Sequence, residues 1–230
     1  MMAINTITKY KFEKEFTGRI NKLQNLNNWQ NFITIFMDYL WIIISIIGCK
    51  IYPSIFTSLL AIVLIGRGMN GLDNLNHESS HKKLFQNQVM NYWISLLFCY
   101  LPLGMSPHFY VKDHLNHHKW LGNYNLDPDR LRHRELDIEC FPIPRRDLIY
   151  HFFYRITIIL IPTYLLDILK SIIFSPDVPQ KERISRRLFW ILLFIILTVL
   201  DGWKDFTLFW LVPFITSFKI LGYLAEISEH

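Results

Sequence analysis

Long apolar runs separated by short polar stretches dominate the chain. Five apolar regions stand out: 32–47, 54–65, 92–105, 152–174 and 188–224. A helix that crosses a bilayer needs about 17–25 mostly apolar residues, and several of these runs are shorter than that, so we group them in pairs that return to the same face. We therefore predict two helical hairpins, formed by residues 32–52 with 54–75 and by residues 187–202 with 206–224.

The two other apolar regions are not predicted to cross the membrane. Residues 92–105 form a short run that ends in "LPLGMSP", and we expect this run to be re-entrant or interfacial. Residues 152–174 are interrupted by charged residues and a proline, so we expect them to lie along the interface. The predicted fold class is all-α: an integral membrane bundle of about four transmembrane helices, forming a single domain over residues 1–230.

Composition favours a membrane protein over a soluble one. Hydrophobic residues make up 51% of the 230 residues, and the chain carries 18 Phe, 11 Tyr and 7 Trp. A soluble domain of this size has too little interior to bury so many large apolar side chains. The three cysteines form no CxxC pair, so neither a disulfide framework nor a cysteine zinc site is predicted.

The distribution of basic residues predicts the orientation of the bundle. In the two-hairpin topology one face carries both chain termini and residues 66–91 and 106–187. Of 24 Lys and Arg residues, only Lys50, Lys204 and Lys219 lie elsewhere. The positive-inside rule then makes the shared face cytoplasmic. The net charge of +5 therefore requires no nucleic-acid partner, and we expect none. The charged segment "KERISRR" (181–187) is expected to be a solvated loop of this face.

Histidines form two clusters on the predicted cytoplasmic face. The first, "HESSH", places His77 and His81 four residues apart, and the second, "HLNHH", contains His114, His117 and His118. Residues three or four apart lie on the same side of a helix, so each cluster offers its imidazoles to one region. Five converging imidazoles exceed the needs of one four-coordinate zinc and suit a pair of transition-metal ions, with iron, copper or zinc favoured by nitrogen ligands.

Two other interpretations of the histidine clusters are a zinc protease and a metal-binding protein without catalytic activity. "HESSH" has the HExxH spacing of zinc proteases, in which Glu78 would be the general base. That interpretation leaves the second cluster unexplained, and the metzincin continuation with its glycine and third histidine is missing after His81. A non-catalytic metal-binding or metal-transporting membrane protein is the other alternative. Transport is disfavoured because the clusters fall at the ends of the apolar segments.

Both clusters resemble the histidine boxes of the membrane fatty acid desaturase family, which includes related hydroxylases and ketolases. "HESSH" is similar to the first box, "HLNHH" to the second, and "HHKWLGNYNLDPD" (117–129) to the stretch after it. The resemblance implies a non-haem di-iron site with ligands from both boxes. The terminal "AEISEH" (225–230) resembles the element before the third box, which would make His230 a further ligand.

The resemblance also implies the reaction and its partners. It predicts two iron ions, O2 as co-substrate, a lipid acyl substrate and a ferredoxin or cytochrome b5-type electron donor. The product would be a desaturated acyl chain, with hydroxylation or ketolation of a lipid or carotenoid as the alternative within the family. The third box, which would be a further (H/Q)xxHH motif after residues 114–118, does not occur in the 230 residues. We therefore expect the chain to be incomplete at its C-terminus, which leaves an inactive fragment as a further alternative.

Metal-bound histidines need acceptors for their second ring nitrogen. The carboxylates near the boxes are the candidates for this role: Asp73, Glu78, Asp113, Asp127, Asp129, Glu226 and Glu229.

Overall fold

All secondary structure described by the computed structural model is helical, over residues 16, 18–19, 26–134, 144–156 and 177–229. The elements are α1 (Asn28–Ile51), α2 (Ile55–Ser80), α3 (Gln88–Ser95, continued by a π-helical turn Leu96–Tyr100), α4 (Pro107–Trp120), α5 (Pro128–Arg134), α6 (Arg145–Ile156), α7 (Gln180–Val199), α8 (Trp203–Phe206, continued by a π-helical turn Thr207–Leu211), α9 (Val212–Ile215) and α10 (Ser217–Glu229). The predicted all-α class is confirmed.

Local capping signals fix the first hairpin. Asn27 begins α1 by accepting a hydrogen bond from the backbone N–H of Trp29 (3.1 Å). Pro53 lacks the N–H that would continue the helix, and Ser54 then caps α2 through a reciprocal capping box with Thr57. The predicted hairpin is therefore present. Helix α2 continues five residues beyond the predicted boundary at residue 75 and carries the first histidine cluster at its C-terminal end.

Glycines on α2 allow its neighbours to approach its backbone. A Cβ atom at Gly68 would lie 2.8 Å from the Ile42 side chain, and one at Gly71 would collide with the carboxylate of Asp38. Asp38 is buried between α1 and α2, where it also faces the guanidinium of Arg67 at 3.5 Å. On the other side of α2, Gly66 meets Ser217 of α10, whose hydroxyl donates to the carbonyl of Ile62 (2.6 Å). Small residues thus permit the close helix contacts typical of membrane bundles.

Replacement of Gly66 by Ala is expected to destabilise the bundle. The new Cβ would lie 2.7 Å from the backbone nitrogen of Phe218, so α2 and α10 must move apart, at a cost of about 1–3 kcal/mol. Gly48→Ala is the matched control, because nothing lies within 4 Å of a Cβ there. Thermal unfolding of both variants in detergent checks the prediction, which fails if the two melting temperatures fall equally.

The short apolar run at residues 92–105 forms α3, its π-helical turn and the loop that follows. This segment is too short to span a bilayer, and it packs against α2 rather than standing apart. Its buried side chains include Leu96, Cys99 and Tyr100, and burial beside the Asp38 and Asp73 carboxyls raises the pKa of the Cys99 thiol to about 12. The re-entrant or interfacial placement itself stays a prediction.

Three helical stretches of the described chain are long and apolar enough to cross a membrane. They are Asn28–Ile51, Ile55–Ser80 and Trp203–Ala225. The fourth expected span coincides with α7, whose first two turns carry five charged residues and whose second half is apolar and exposed. Lys50 and Asp205 form an ion pair between the turn that ends α1 and the turn that begins α8, so the two predicted hairpin turns are adjacent. Residues 157–176, which include most of the predicted interfacial segment 152–174, lie outside the described residues.

The segment "KERISRR" is not the solvated loop that its charges suggested. It forms the first two turns of α7, and within it the side chains of Glu182 and Arg186 are buried at 1% and 2% exposure. These two groups face each other across one helical turn, at 3.8 Å between Arg186 Nη1 and Glu182 Oε1. The prediction was wrong because an internal ion pair lets charged residues enter a core that isolated charges avoid.

Candidate metal centre

The ends of two helices bring the histidine clusters together. His77 lies in the last turn of α2 and His81 is its C-cap residue, so the first cluster sits where that helix stops. The second cluster lies on α4, which begins at the Ser106 N-cap with Pro107 in the first helical position. That start is determined by sequence, because proline lacks an N–H and suits the first turn of a helix.

Four imidazoles converge between α2 and α4. The ligand atoms of His77, His81, His114 and His118 all lie within 4.8 Å of one another. His114 is the central member: its ring centroid lies 4.3 Å from that of His77, 4.7 Å from that of His81 and 4.4 Å from that of His118. The spacing seen in the sequence therefore corresponds to a single compact cluster built from both boxes.

The nitrogen atoms of this cluster lie at the spacing of ligands around one metal ion. His114 Nε2 lies 2.8 Å from His81 Nε2 and 3.0 Å from His118 Nε2. A neutral imidazole nitrogen carries either a proton or a lone pair, so His114 Nε2 cannot donate to one neighbour and accept from the other. Two nitrogens bound to one ion at about 2.1 Å each lie roughly 2.9–3.4 Å apart, which is close to the observed spacing. The four residues fit a transition-metal ion.

The surroundings of His114 and His81 lower the pKa of both imidazoles. Burial, followed by the neighbouring histidines, lowers the pKa of His114 to about 3. Burial and the nearby His77 and His118 also lower the pKa of His81. Because a metal ion binds only the unprotonated ring, this environment has the protonation state that binding requires.

His117 belongs to a second group that the four-imidazole cluster does not include. Its Nδ1 lies 2.8 Å from Asp127 Oδ1 and 3.1 Å from Asp129 Oδ2, and both His117 and Asp127 are buried. The backbone N–H groups of Gly122 and Asp129 also donate to the Asp127 carboxylate, each at 3.0 Å. Burial acts to raise the pKa of Asp127, but these hydrogen bonds together hold it below its usual range. The Asp127 carboxylate is therefore ionised at neutral pH.

The buried side-chain amide of Asn91 holds the backbone that follows the first histidine cluster. Asn91 accepts hydrogen bonds from the N–H groups of Leu84 and Phe85 (3.0 and 3.1 Å) and donates to the carbonyl of Ser79 (3.0 Å). The Ser79 hydroxyl in turn donates to that of Ser95 (2.8 Å). This network fixes the end of α2 against α3, and it was missed at the sequence level because a lone Asn in an apolar run carries no spacing signal.

Glu182 anchors the start of the second-box helix. Its carboxylate accepts hydrogen bonds from the hydroxyl of Ser106 and from the backbone N–H of His108 (3.2 Å). Since Ser106 is the N-cap of α4, the first turn of α7 holds the helix that carries three of the predicted ligands. This positioning residue was also missed by the sequence analysis.

The structure brings together some of the predicted site residues and not others. His77, His81, His114 and His118 form one cluster, His117 is adjacent to it but paired with carboxylates, and His230 lies outside the described residues. Among the seven candidate acceptors, Asp127 and Asp129 contact a box histidine, whereas Glu78 and Asp113 are exposed. The side chains of Glu226 and Glu229 also lie outside the described part.

Comparison with known proteins identifies the family to which the chain belongs. Residues 53–230 match the fatty acid desaturase family, so the chain belongs to that family. It is also similar to dihydrorhizobitoxine desaturase of Bradyrhizobium elkanii, with 27% identity over 228 residues. That alignment covers 96% of this chain and 64% of the relative, so the chain spans just under two thirds of the length of the relative. No solved structure matches the chain. The predicted resemblance is confirmed, and the chain is an integral membrane protein of the fatty acid desaturase family.

Proposed function

We propose that this protein is a membrane-bound di-iron oxidase that desaturates a lipid acyl chain with O2. The observation that carries the proposal is the convergence of four imidazoles from two desaturase-type boxes on one point. Membership of the desaturase family supports the same reaction class.

The residues of the cluster have defined roles in this proposal. His77, His81, His114 and His118 would hold an iron ion, and His117 and His230 would contribute to the ligands of a second ion. The bound irons would activate O2, which is the oxidant, so that hydrogen can be removed from an unactivated C–H bond. Imidazoles suit this site because, unlike thiolates, they are not consumed under oxidising conditions. Overall, two hydrogens leave the acyl chain, and O2 becomes two waters with two electrons and two protons from outside.

The source of the electrons and the orientation of the site are also part of the proposal. The cytoplasmic assignment of the histidine face rests on the positive-inside distribution of Lys and Arg. A ferredoxin or cytochrome b5-type protein would then deliver electrons from the cytoplasm. The exposed Arg187, near the buried Glu182–Arg186 pair, belongs to the basic surface on which such an acidic carrier would dock.

The substrate has two candidates. An acyl lipid is favoured by the family and by the apolar, exposed flanks of α1 and α2, which would lie in the membrane with the lipid. The relative from Bradyrhizobium elkanii is a desaturase named for dihydrorhizobitoxine instead, so a non-fatty-acid substrate is the second candidate. Hydroxylation or ketolation of a lipid or carotenoid is the alternative outcome of the same hydrogen abstraction.

Mass spectrometry of lipids and soluble metabolites from cells that express the protein tests the proposal. We expect products two hydrogens lighter than their precursors, about two irons per purified chain, and complete loss of product in His77→Ala and His118→Ala. The first step is to read the gene past the codon for His230, so that any longer frame is assayed beside the 230-residue chain.

The controls separate the proposed oxidase from its rivals. Products sixteen mass units heavier would indicate hydroxylation instead of desaturation. Zinc in place of iron, or full activity in His77→Ala, would overturn the oxidase proposal. Metal binding without any oxidised product from either form would favour the non-catalytic metal-binding alternative.

A further inference from the structure

The two histidines that end the second box face different surroundings. His118 joins the four-imidazole cluster, whereas His117 directs Nδ1 to two carboxylates. Successive residues of a helix are rotated by about 100°, so neighbours cannot present their rings in the same direction. The ring of His117 nevertheless stays beside the cluster, with its centroid 5.6 Å from that of His118 and 6.4 Å from that of His114.

The carboxylate that contacts His117 is itself held rigidly. Asp127 is 1% exposed, and backbone N–H groups of Gly122 and Asp129 bind its two oxygens. Gly122 adopts φ +76°, a left-handed conformation that favours glycine and turns the chain back after α4. The Asp127 carboxylate thus accepts a hydrogen bond on each oxygen and is held in place beside the His117 ring.

We propose that Asp127, assisted by Asp129, is a positioning residue that fixes His117 in the tautomer with the proton on Nδ1, so that Nε2 is the atom offered to metal. This inference rests on the proposed metal centre. With Nδ1–H donated to a buried carboxylate, the neutral ring carries its lone pair on Nε2 and is also oriented. The "LDPD" turn therefore supports the metal centre without touching the ion.

Cobalt binding by the purified chain tests this role independently of turnover. Co²⁺ is titrated as a probe, and its visible absorption reports both affinity and ligand environment. We expect Asp127→Asn to weaken Co²⁺ binding about 10–100-fold, the range typical of such outer partners, and Asp129→Asn to weaken it less. Asp147→Asn, the same charge change at a partly exposed carboxylate on α6 that pairs with Arg146, is the control and should leave affinity unchanged.

A double-mutant cycle separates positioning from a general structural effect. His117→Gln should weaken binding, and Asp127→Asn should add nothing in that background because its partner is gone. The inference would be overturned by an equal loss of Co²⁺ affinity in both backgrounds, by unchanged affinity in Asp127→Asn, or by wild-type affinity in His117→Gln. It would also be overturned if the wild-type chain binds no Co²⁺. If Asp127→Asn fails to fold, Asp129→Asn carries the same cycle, because Asp129 is partly exposed. A chain that shows this coupling but yields no oxidised product would contradict the proposed function alone.

Discussion

Replacement of Glu182 by Ala is expected to lower the free energy of unfolding by about 3–5 kcal/mol, the cost of removing one member of a buried ion pair. Arg186 is 2% exposed and would lose the carboxylate beside it. Ser106 and the backbone N–H of His108 would lose their acceptor at the same time. Thermal or denaturant unfolding in detergent measures the effect.

Loss of Glu182 should also weaken the metal centre from a distance. The carboxylate holds the first turn of α4, and the same helix positions His114 and His118. We therefore expect weaker Co²⁺ binding in Glu182→Ala even at temperatures where the protein remains folded. Metal affinity equal to wild type in the folded variant would show that α4 needs no anchor at its N-terminus.

Two further variants define what the buried pair contributes. Arg187→Ala removes an exposed charge next to the pair and should change stability by no more than about 0.5 kcal/mol. The double replacement Glu182→Leu with Arg186→Met should cost less than Glu182→Ala, because it removes both buried charges together. A double variant that is less stable than Glu182→Ala would contradict this account.

The parts of the fold that followed from sequence are those governed by local geometry. The turn at Pro53 and Ser54 is dictated by a missing N–H and a capping side chain, so the first hairpin was predictable. The same holds for His77 with His81 and His114 with His118, because a separation of four residues always gives nearly the same direction on a helix. These two pairs make up the observed cluster.

The parts that escaped prediction depend on contacts between distant segments. Ser106 and Glu182 are 76 positions apart in the sequence, and a local sequence pattern cannot predict the hydrogen bond between them. The charges of residues 181–187 predicted solvent exposure, since isolated charges avoid the interior, yet the ion pair with Arg186 made burial possible. Likewise, spacing alone grouped His117 with His114 and His118, and only the returning turn at Gly122 showed that its ring faces Asp127.

Replacement of His114 by Ala is expected to have the largest effect on metal binding. His114 is the imidazole closest to all three others, and its Nε2 lies within 3.0 Å of two of theirs. Removing it takes the central nitrogen out of the cluster, so the loss should exceed the 10–100-fold typical of outer partners, on the order of 100-fold or more. Competition between the protein and a chelator for Co²⁺ or Fe²⁺ measures the affinity.

The matched control for His114 is His108, which lies on the same helix. The His108 ring is exposed and packs beside Phe109, and its only contact with Glu182 is made through the backbone N–H, which Ala retains. His108→Ala should therefore keep wild-type affinity. Equal losses in the two variants would mean that α4 responds to any substitution. Wild-type affinity in His114→Ala would mean that the converging Nε2 atoms do not bind the ion, and the proposed oxidase chemistry would then lack its metal site.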